Sequence, residues 1–203
     1  MLLNFNQLKN QFKIQIQGII HVGGHIGDEI GDYLGIDNLI IFEPQPHCFE
    51  QLTAKAQSLG MSPVLVNKAL GNFVGEAEIK SDKTGLIGSL LDPEIVLTLP
   101  DCNFTEKYMV DVSTLDDEIE NPEQYNLLNM DVQGYELEVL KGGTETLKNI
   151  DYIFTEINRV ELYKDCAQID DLDEYLVDCD RVATAWHGAH NWGDALYIRK
   201  GLI

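Results

Sequence analysis

Three glycines and one carboxylate give the first chemical signal in the chain. Gly23, Gly24 and Gly27 follow the apolar run "IIHV" (Ile19–Val22), and Glu43 ends the next run, "NLIIFE" (Asn38–Glu43). Glycines at such a place permit positive φ and let a ligand approach the backbone without a Cβ clash. An acid at the end of the neighbouring strand can accept hydrogen bonds from both hydroxyls of a ribose. Together these residues predict a nucleoside pocket. His21 and His25 stand in the same stretch as further candidate contacts. Asn67, in "NKAL", ends the third apolar run, where an adenine ring is usually held, or else serves a packing turn.

The ligand is narrowed by what the glycine stretch lacks. Counted from Gly23, His25 and Asp28 occupy the second and third glycine positions of the dinucleotide pattern G-x-G-x-x-G. Asp28 and Glu29 are expected to open the helix that follows, and acids there would repel a pyrophosphate. A phosphate-free adenosine ligand fits better. S-adenosylmethionine has an adenosine, no phosphate and a sulfonium cation that tolerates nearby acids.

A second constellation lies in "NMDVQGYELEVLKGG" (Asn129–Gly143). Asp131 ends a strand-like run and is the first candidate for a general base; its alternative is to cap the following helix. Glu156, in "TEINRVELY", is a candidate for orienting an acceptor, or a partner for Arg159. Glu136 falls in the first turn of a helix, where the dipole favours an acid, and a structural role is expected. His187 and His190, in "WHGAHNWGD", are candidate bases on a loop over the acceptor. A carboxylate with two histidines can hold a divalent cation, but H-x-x-H in a loop is weak ligand spacing, and no metal is predicted. Trp186 and Trp192 suit sugar stacking or ordinary packing.

Alternating elements must position these groups. Gly18–Val22, Asn38–Glu43, Pro63–Leu70, Tyr125–Asp131 and Asp151–Ile157 read as buried strands. Pro46–Gly60, roughly 135–147 and Asp170–Asp178 read as helices. Gly75–Ser81 pairs as a hairpin partner with Lys107–Ser113, and Arg181–Trp186 with Asp194–Lys200. Strand–helix alternation implies a parallel sheet with helices on both faces. Ligands bind such sheets beyond the carboxyl ends of the strands. The strand ends here read "VGGHIG", "FEP", "NMDVQG" and "TEIN".

Bulk properties bound the rest. The 203 residues fit one domain, with residues 1–17 as an N-terminal extension. Hydrophobic residues are 44%, as in a folded globular chain. No apolar run approaches the ~20 residues of a membrane helix, and no secretory leader is visible, so a cytoplasmic protein is expected. Net charge is −20. That field repels a phosphate backbone, and nucleic acid is not an expected partner. Cys48, Cys102, Cys166 and Cys179 are scattered without a C-x-x-C, so neither zinc nor a disulfide framework is indicated.

The ordered motifs resemble the FkbM-type family of S-adenosylmethionine-dependent methyltransferases. "HVGGHIG" and "FEPQP" match its glycine loop and ribose-binding turn, and Asp131, Gln133, Gly134 and Glu136 match its strand-end motif. "KALGN", "GSL", "VSTLDD" and "WGDALYI" follow the same order. The resemblance runs from Ile19 to the C-terminus. It implies a class I methyltransferase (Rossmann-like) sheet of seven mostly parallel strands, the last one antiparallel. It also implies methyl transfer to a hydroxyl of a sugar or natural product, hence a small-molecule or glycan acceptor. Three positions depart from the family: His21 where many class I methyltransferases carry an acid, His25 for a commoner Asn or Gly, and Asn129 where Lys is frequent. Two other readings stay open, a nicotinamide-dependent oxidoreductase and a non-catalytic nucleoside-binding protein of the same fold. Oligomeric state is not legible.

Overall fold

The computed structural model describes residues 2–100, 102–188 and 190–203. Its framework is set by β1 (Gly18–Val22), β2 (Asn38–Phe42), β3 (Val64–Val66), β4 (Ala69–Leu70), β5 (Gly75–Ser81), β6 (Glu106–Ser113), β7 (Leu127–Met130), β8 (Tyr152–Asn158), β9 (Cys179–Trp186) and β10 (Trp192–Arg199). Seven of these form one sheet in the order β3-β2-β1-β7-β8-β10-β9. β1, β2, β3, β7 and β8 are parallel, and β10 runs antiparallel to both β8 and β9. This is the expected class I architecture, with the last strand inserted inside the edge rather than at it. The chain winds outward from β1 to β3, then crosses back to β7, so strand order reverses between β1 and β7. A crevice opens at such a point.

The inner strands are continuous apolar runs because both faces are covered. Alternate residues Ile20, Val22, Phe42, Leu128 and Met130 pack on one side with Leu115 of α3 (Leu115–Glu118), Val139 and Leu140 of α4 (Glu136–Lys141) and Leu172 of α5 (Ile169–Tyr175). Ile19, Leu39, Ile41, Leu127 and Phe154 face the other way, against α1 (Phe5–Gln11) and α2 (Pro46–Ser58). Each such side chain contributes on the order of 2 kcal/mol by leaving water. The stretch expected as an N-terminal extension therefore covers sheet. Asn4 caps α1 by accepting from Gln7 N at 2.9 Å, and Phe5 stacks near Tyr33 and Phe154 at centroid distances of 6.0 Å.

Three expected elements differ. The helix after Gly27 is only a 3-10 turn, Ile30–Tyr33; Gly31 and Gly35 make a longer helix expensive there. It is too short to carry a useful dipole, so the pyrophosphate argument from Asp28 and Glu29 loses its helix. The run Pro63–Leu70 is two strands: β3 joins the large sheet, while β4 pairs with β6 in a three-stranded sheet ordered β4-β6-β5. The β5–β6 pairing is antiparallel as expected, with Gly75 opposite Val112. Finally, α4 stops at Lys141 because Gly142 lies against the Gly71 backbone, where a Cβ would fall 1.9 Å from the Gly71 carbonyl oxygen. The four cysteines are free thiols. Among the described residues no helix is long and apolar enough to cross a membrane.

Candidate functional site

Gly23 and Glu43 sit at adjacent strand tips. The Gly23 and Gly24 N–H groups both donate to the Phe42 carbonyl at 2.9 Å, which folds the glycine turn over the end of β2. Gly23 has φ +87°, and a Cβ there would lie 2.0 Å from the Asp131 carbonyl oxygen. The glycine is thus required by the neighbouring strand as well as by any ligand. Glu43 is 3% exposed, and its two oxygens accept from His25 N and Gln45 N, each at 2.8 Å. Burial pushes its carboxyl up to about 6, against the pull of those two N–H groups. Each oxygen retains a lone pair. His25 adds a second tie, with its Nε2 2.9 Å from the Thr84 carbonyl.

Gly23, His25, Glu43, Gln45, Lys68 and Asp131 line one open pocket, with Gly85, Leu86, Gly88 and Leu90 along its other side. Gln45 is buried, its Nε2 donates to the Gly85 carbonyl at 2.8 Å, and its Oε1 has no partner. A buried acceptor left open on a cavity wall fits a ligand donor. Of the two roles open to Asn67, the structure shows the packing turn. Its amide donates to the Glu43 and Pro44 carbonyls at 2.7 and 3.0 Å, holding the turn. His21 also points away. Its Nδ1 is 3.3 Å from the Tyr33 hydroxyl, its Nε2 is 3.8 Å from Glu29, and burial depresses its pKa. The Tyr33 hydroxyl in turn accepts from Asn129 at 2.6 Å. Gly24 and Gly27 shape the turn, with Gly27 N donating to the Gly24 carbonyl.

Beyond β7 the acids converge. Asp131 N donates to the Val22 carbonyl at 3.0 Å, locking its position beside Gly23. Gln133 Nε2 donates to Asp131 Oδ1 at 2.7 Å and to Glu156 Oε2 at 3.1 Å. Tyr163 donates to Gln133 Oε1 at 3.0 Å, and Ser89 donates to the Gln133 carbonyl at 2.8 Å. Gln133 therefore clamps two carboxylates, although sequence reasoning gave it no role. Its signal was its place two residues after Asp131, and its φ of +54° marks a forced turn. Glu136 braces that turn from below, accepting from Val132 N and Gly134 N at 3.2 Å, which is the structural role expected. Burial raises its carboxyl to about 7. Burial also raises Asp131, and burial with the Asp131, Glu136 and Asp194 charges raises Glu156 well above the usual range. Asp131 does not cap α4, whose N-cap is Tyr135. Nor does Glu156 turn to Arg159, whose guanidinium lies 3.8 Å over the Trp186 ring.

A second cavity of about 750 Å³ contains Asp131, Gln133, Glu156, Tyr163, His190 and Trp192. It shares Leu86, Asp131 and Gln133 with the first, so the two meet at Asp131. Of the loop histidines, His190 lines this cleft. His187 stacks behind it on Trp192, at 4.7 Å and 8° between planes. Among the described residues no group of three or more metal-type ligands converges.

Comparison with known proteins gives a consistent set. The pattern of the methyltransferase FkbM domain matches residues 21–183. The hexuronic acid methyltransferase AglP of Haloferax volcanii is 26% identical over 122 residues, which is 60% of this chain and 47% of that protein. An FkbM methyltransferase structure from Methylobacillus flagellatus superposes with a TM-score of 0.62 at 16% identity, covering 89% of this chain and 43% of that one. An S-adenosylmethionine-dependent methyltransferase from Clostridium acetobutylicum gives 0.55 at 9% identity, covering 97% and 89%. The chain thus spans about half the length of AglP and of the Methylobacillus protein, and the two structural likenesses speak to fold alone.

Proposed function

The chain belongs to the FkbM methyltransferase family, and from that premise we propose that it transfers a methyl group from S-adenosylmethionine to a hydroxyl oxygen of a sugar or similar small acceptor. The observation that carries the reading is the junction at Asp131, where the pocket beside Glu43 and the glycine turn meets a second cleft.

The first cavity suits the cofactor. Glu43 offers one lone pair on each oxygen for a ribose diol, and Gln45 Oε1 awaits a donor. The Glu43 and Asp131 carboxyls, when ionised, favour a cation. When bound, S-adenosylmethionine supplies an electrophilic methyl group on a positively charged sulfur. The chain's own task is to hold the acceptor in line and to remove its proton. Positioning of this kind can lower a barrier by on the order of 7–11 kcal/mol. Asp131 Oδ2, the oxygen not held by Gln133, receives the hydroxyl proton, and such a base adds roughly 10²–10⁴-fold. Glu156, fixed by the other arm of the Gln133 hydrogen bond, orients the acceptor. His190 closes the cleft from the opposite loop. The acidic cleft and the net charge of −20 disfavour a nucleic-acid acceptor.

Calorimetric titration with S-adenosylhomocysteine and with NADH separates this reading from an oxidoreductase. Binding of the former is expected, and binding of NADH alone would reverse the choice. Label transfer to a panel of glycosides then tests catalysis; cofactor binding without product on any acceptor would point to a binding protein.

A further inference from the structure

We infer that the second cleft selects an uncharged glycoside carrying an apolar aglycone and rejects acidic sugars. This rests on the reading of that cleft as the acceptor site.

The wall and the floor of the cleft differ in chemistry. Leu86, Ile87, Leu99, Pro100, Leu162 and Trp192 form an apolar wall. That wall is built into the fold. Val96, Leu162, Tyr163 and Cys166 are a buried cluster, with Leu99, Cys102 and Trp192 packed against it. Val96 N donates to the Leu162 carbonyl at 3.0 Å, which pins the 86–104 stretch to the chain after β8. Leu86, where the two pockets join, is 63% exposed. Apolar surface held open beside a reaction cleft is suited to an alkyl or aryl group.

The floor holds Asp131 and Glu156, with Gln133 between them. Among the described residues no lysine or arginine lines this cleft, and His190 is its only basic side chain. A uronate carboxylate would therefore enter beside Asp131 without a guanidinium or ammonium to pair with. A buried charge lacking a partner is strongly disfavoured. A carboxylate nucleophile would also need no base, whereas a hydroxyl does. The relative AglP is a hexuronic acid methyltransferase, so this chain is expected to differ from it in acceptor charge.

The test compares hexyl β-glucoside, hexyl β-glucuronide and glucose by equilibrium binding at about pH 8. Titrations are run with and without S-adenosylhomocysteine. Failure of the cofactor to bind thus counts against the methyltransferase reading, while acceptor selectivity is still measured. Hexyl glucoside is expected to bind at least tenfold tighter than either of the others. The double variant Asp131→Asn with Glu156→Gln is expected to bring the glucuronide within about threefold of the glucoside. Equal or tighter binding of the glucuronide by the unaltered protein, glucose matching the hexyl glucoside, or no binding of the glucoside would each overturn the inference.

Discussion

The hydroxyl of Tyr163 donates to the side-chain oxygen of Gln133 at 3.0 Å. The two carboxylates need a donor, which sets the amide nitrogen of Gln133 toward them and its oxygen toward Tyr163, whose hydroxyl also lies 3.2 Å from the Ile87 carbonyl. The amide bond of Gln133 thereby lowers the proton affinity of Asp131 against the effect of burial. Gln133→Ala removes it. The ascending limb of the pH–kcat profile is expected to move to higher pH, with kcat at neutrality falling by about tenfold or more. Stopped-time label transfer across pH measures both. An unshifted limb would reduce Gln133 to a packing residue.

Removal of the base should separate the three candidates. Asp131→Asn is expected to lower kcat by roughly 10²–10⁴-fold while cofactor affinity changes only a few-fold. Glu156→Gln and His190→Ala are expected to act more on acceptor KM. If His190→Ala produced the largest loss in kcat, the base would be the imidazole instead.

Glu43 makes the cofactor side testable apart from chemistry. Glu43→Gln keeps the shape but sets an NH₂ against one of the two N–H groups that the carboxylate now accepts. S-adenosylhomocysteine affinity is expected to fall by about 10–100-fold, the range for a lost hydrogen bond to a charged group. Affinity should also weaken as the pH drops through about 6, where the buried carboxyl takes up its proton. Calorimetry at two pH values reads both effects.

The same burial fixes how stability responds to pH. The Glu43 and Glu136 carboxyls are raised from an ordinary 4.5 to about 6 and about 7. A raised acid means that the folded state binds protons more tightly than the unfolded one. Its contribution is complete below 4.5 and disappears as pH rises through the folded values. For Glu43 this amounts to on the order of 2 kcal/mol. The ligand-free protein is therefore expected to melt higher near pH 5 than near pH 8. A rise in Tm across that interval would show that other groups dominate.

Much of the frame was legible because burial on both faces writes strands as unbroken apolar runs. β1 was readable for that reason, while the β5–β6 pairing showed as alternation of polar and apolar residues and Glu43 as a lone acid ending an apolar run. What the sequence hid depends on contacts from elsewhere in the chain. Asn67 looks like a ligand residue, but its amide is spent on the carbonyls of Glu43 and Pro44. His21 reads as a strand-end contact, yet the hydroxyl of Tyr33 and the carboxylate of Glu29 define its surroundings. The single strand expected from Pro63 to Leu70 carries Asn67 and Lys68 between two short apolar halves, but which sheet each half joins is decided by partners distant in sequence. Gln133 was in plain view within its motif, but its function arises from Glu156 and Tyr163, more than twenty residues away in sequence.

That broken strand has a bearing on how the molecule can be altered. Only Asn67 and Lys68 separate the part in the large sheet from the part in the small one, and Asn67 is bolted to the Glu43 turn. The seam beside the nucleoside cavity is thus a fixed corner that permits little hinge motion between sheets. The apolar wall of the other cleft, by contrast, draws most of its residues from one excursion between β5 and β6. A graft confined to the part after Leu91 would retune acceptor preference, whereas Thr84 and Gly85, whose carbonyls hold His25 and Gln45, belong to the adenosine grip and must stay.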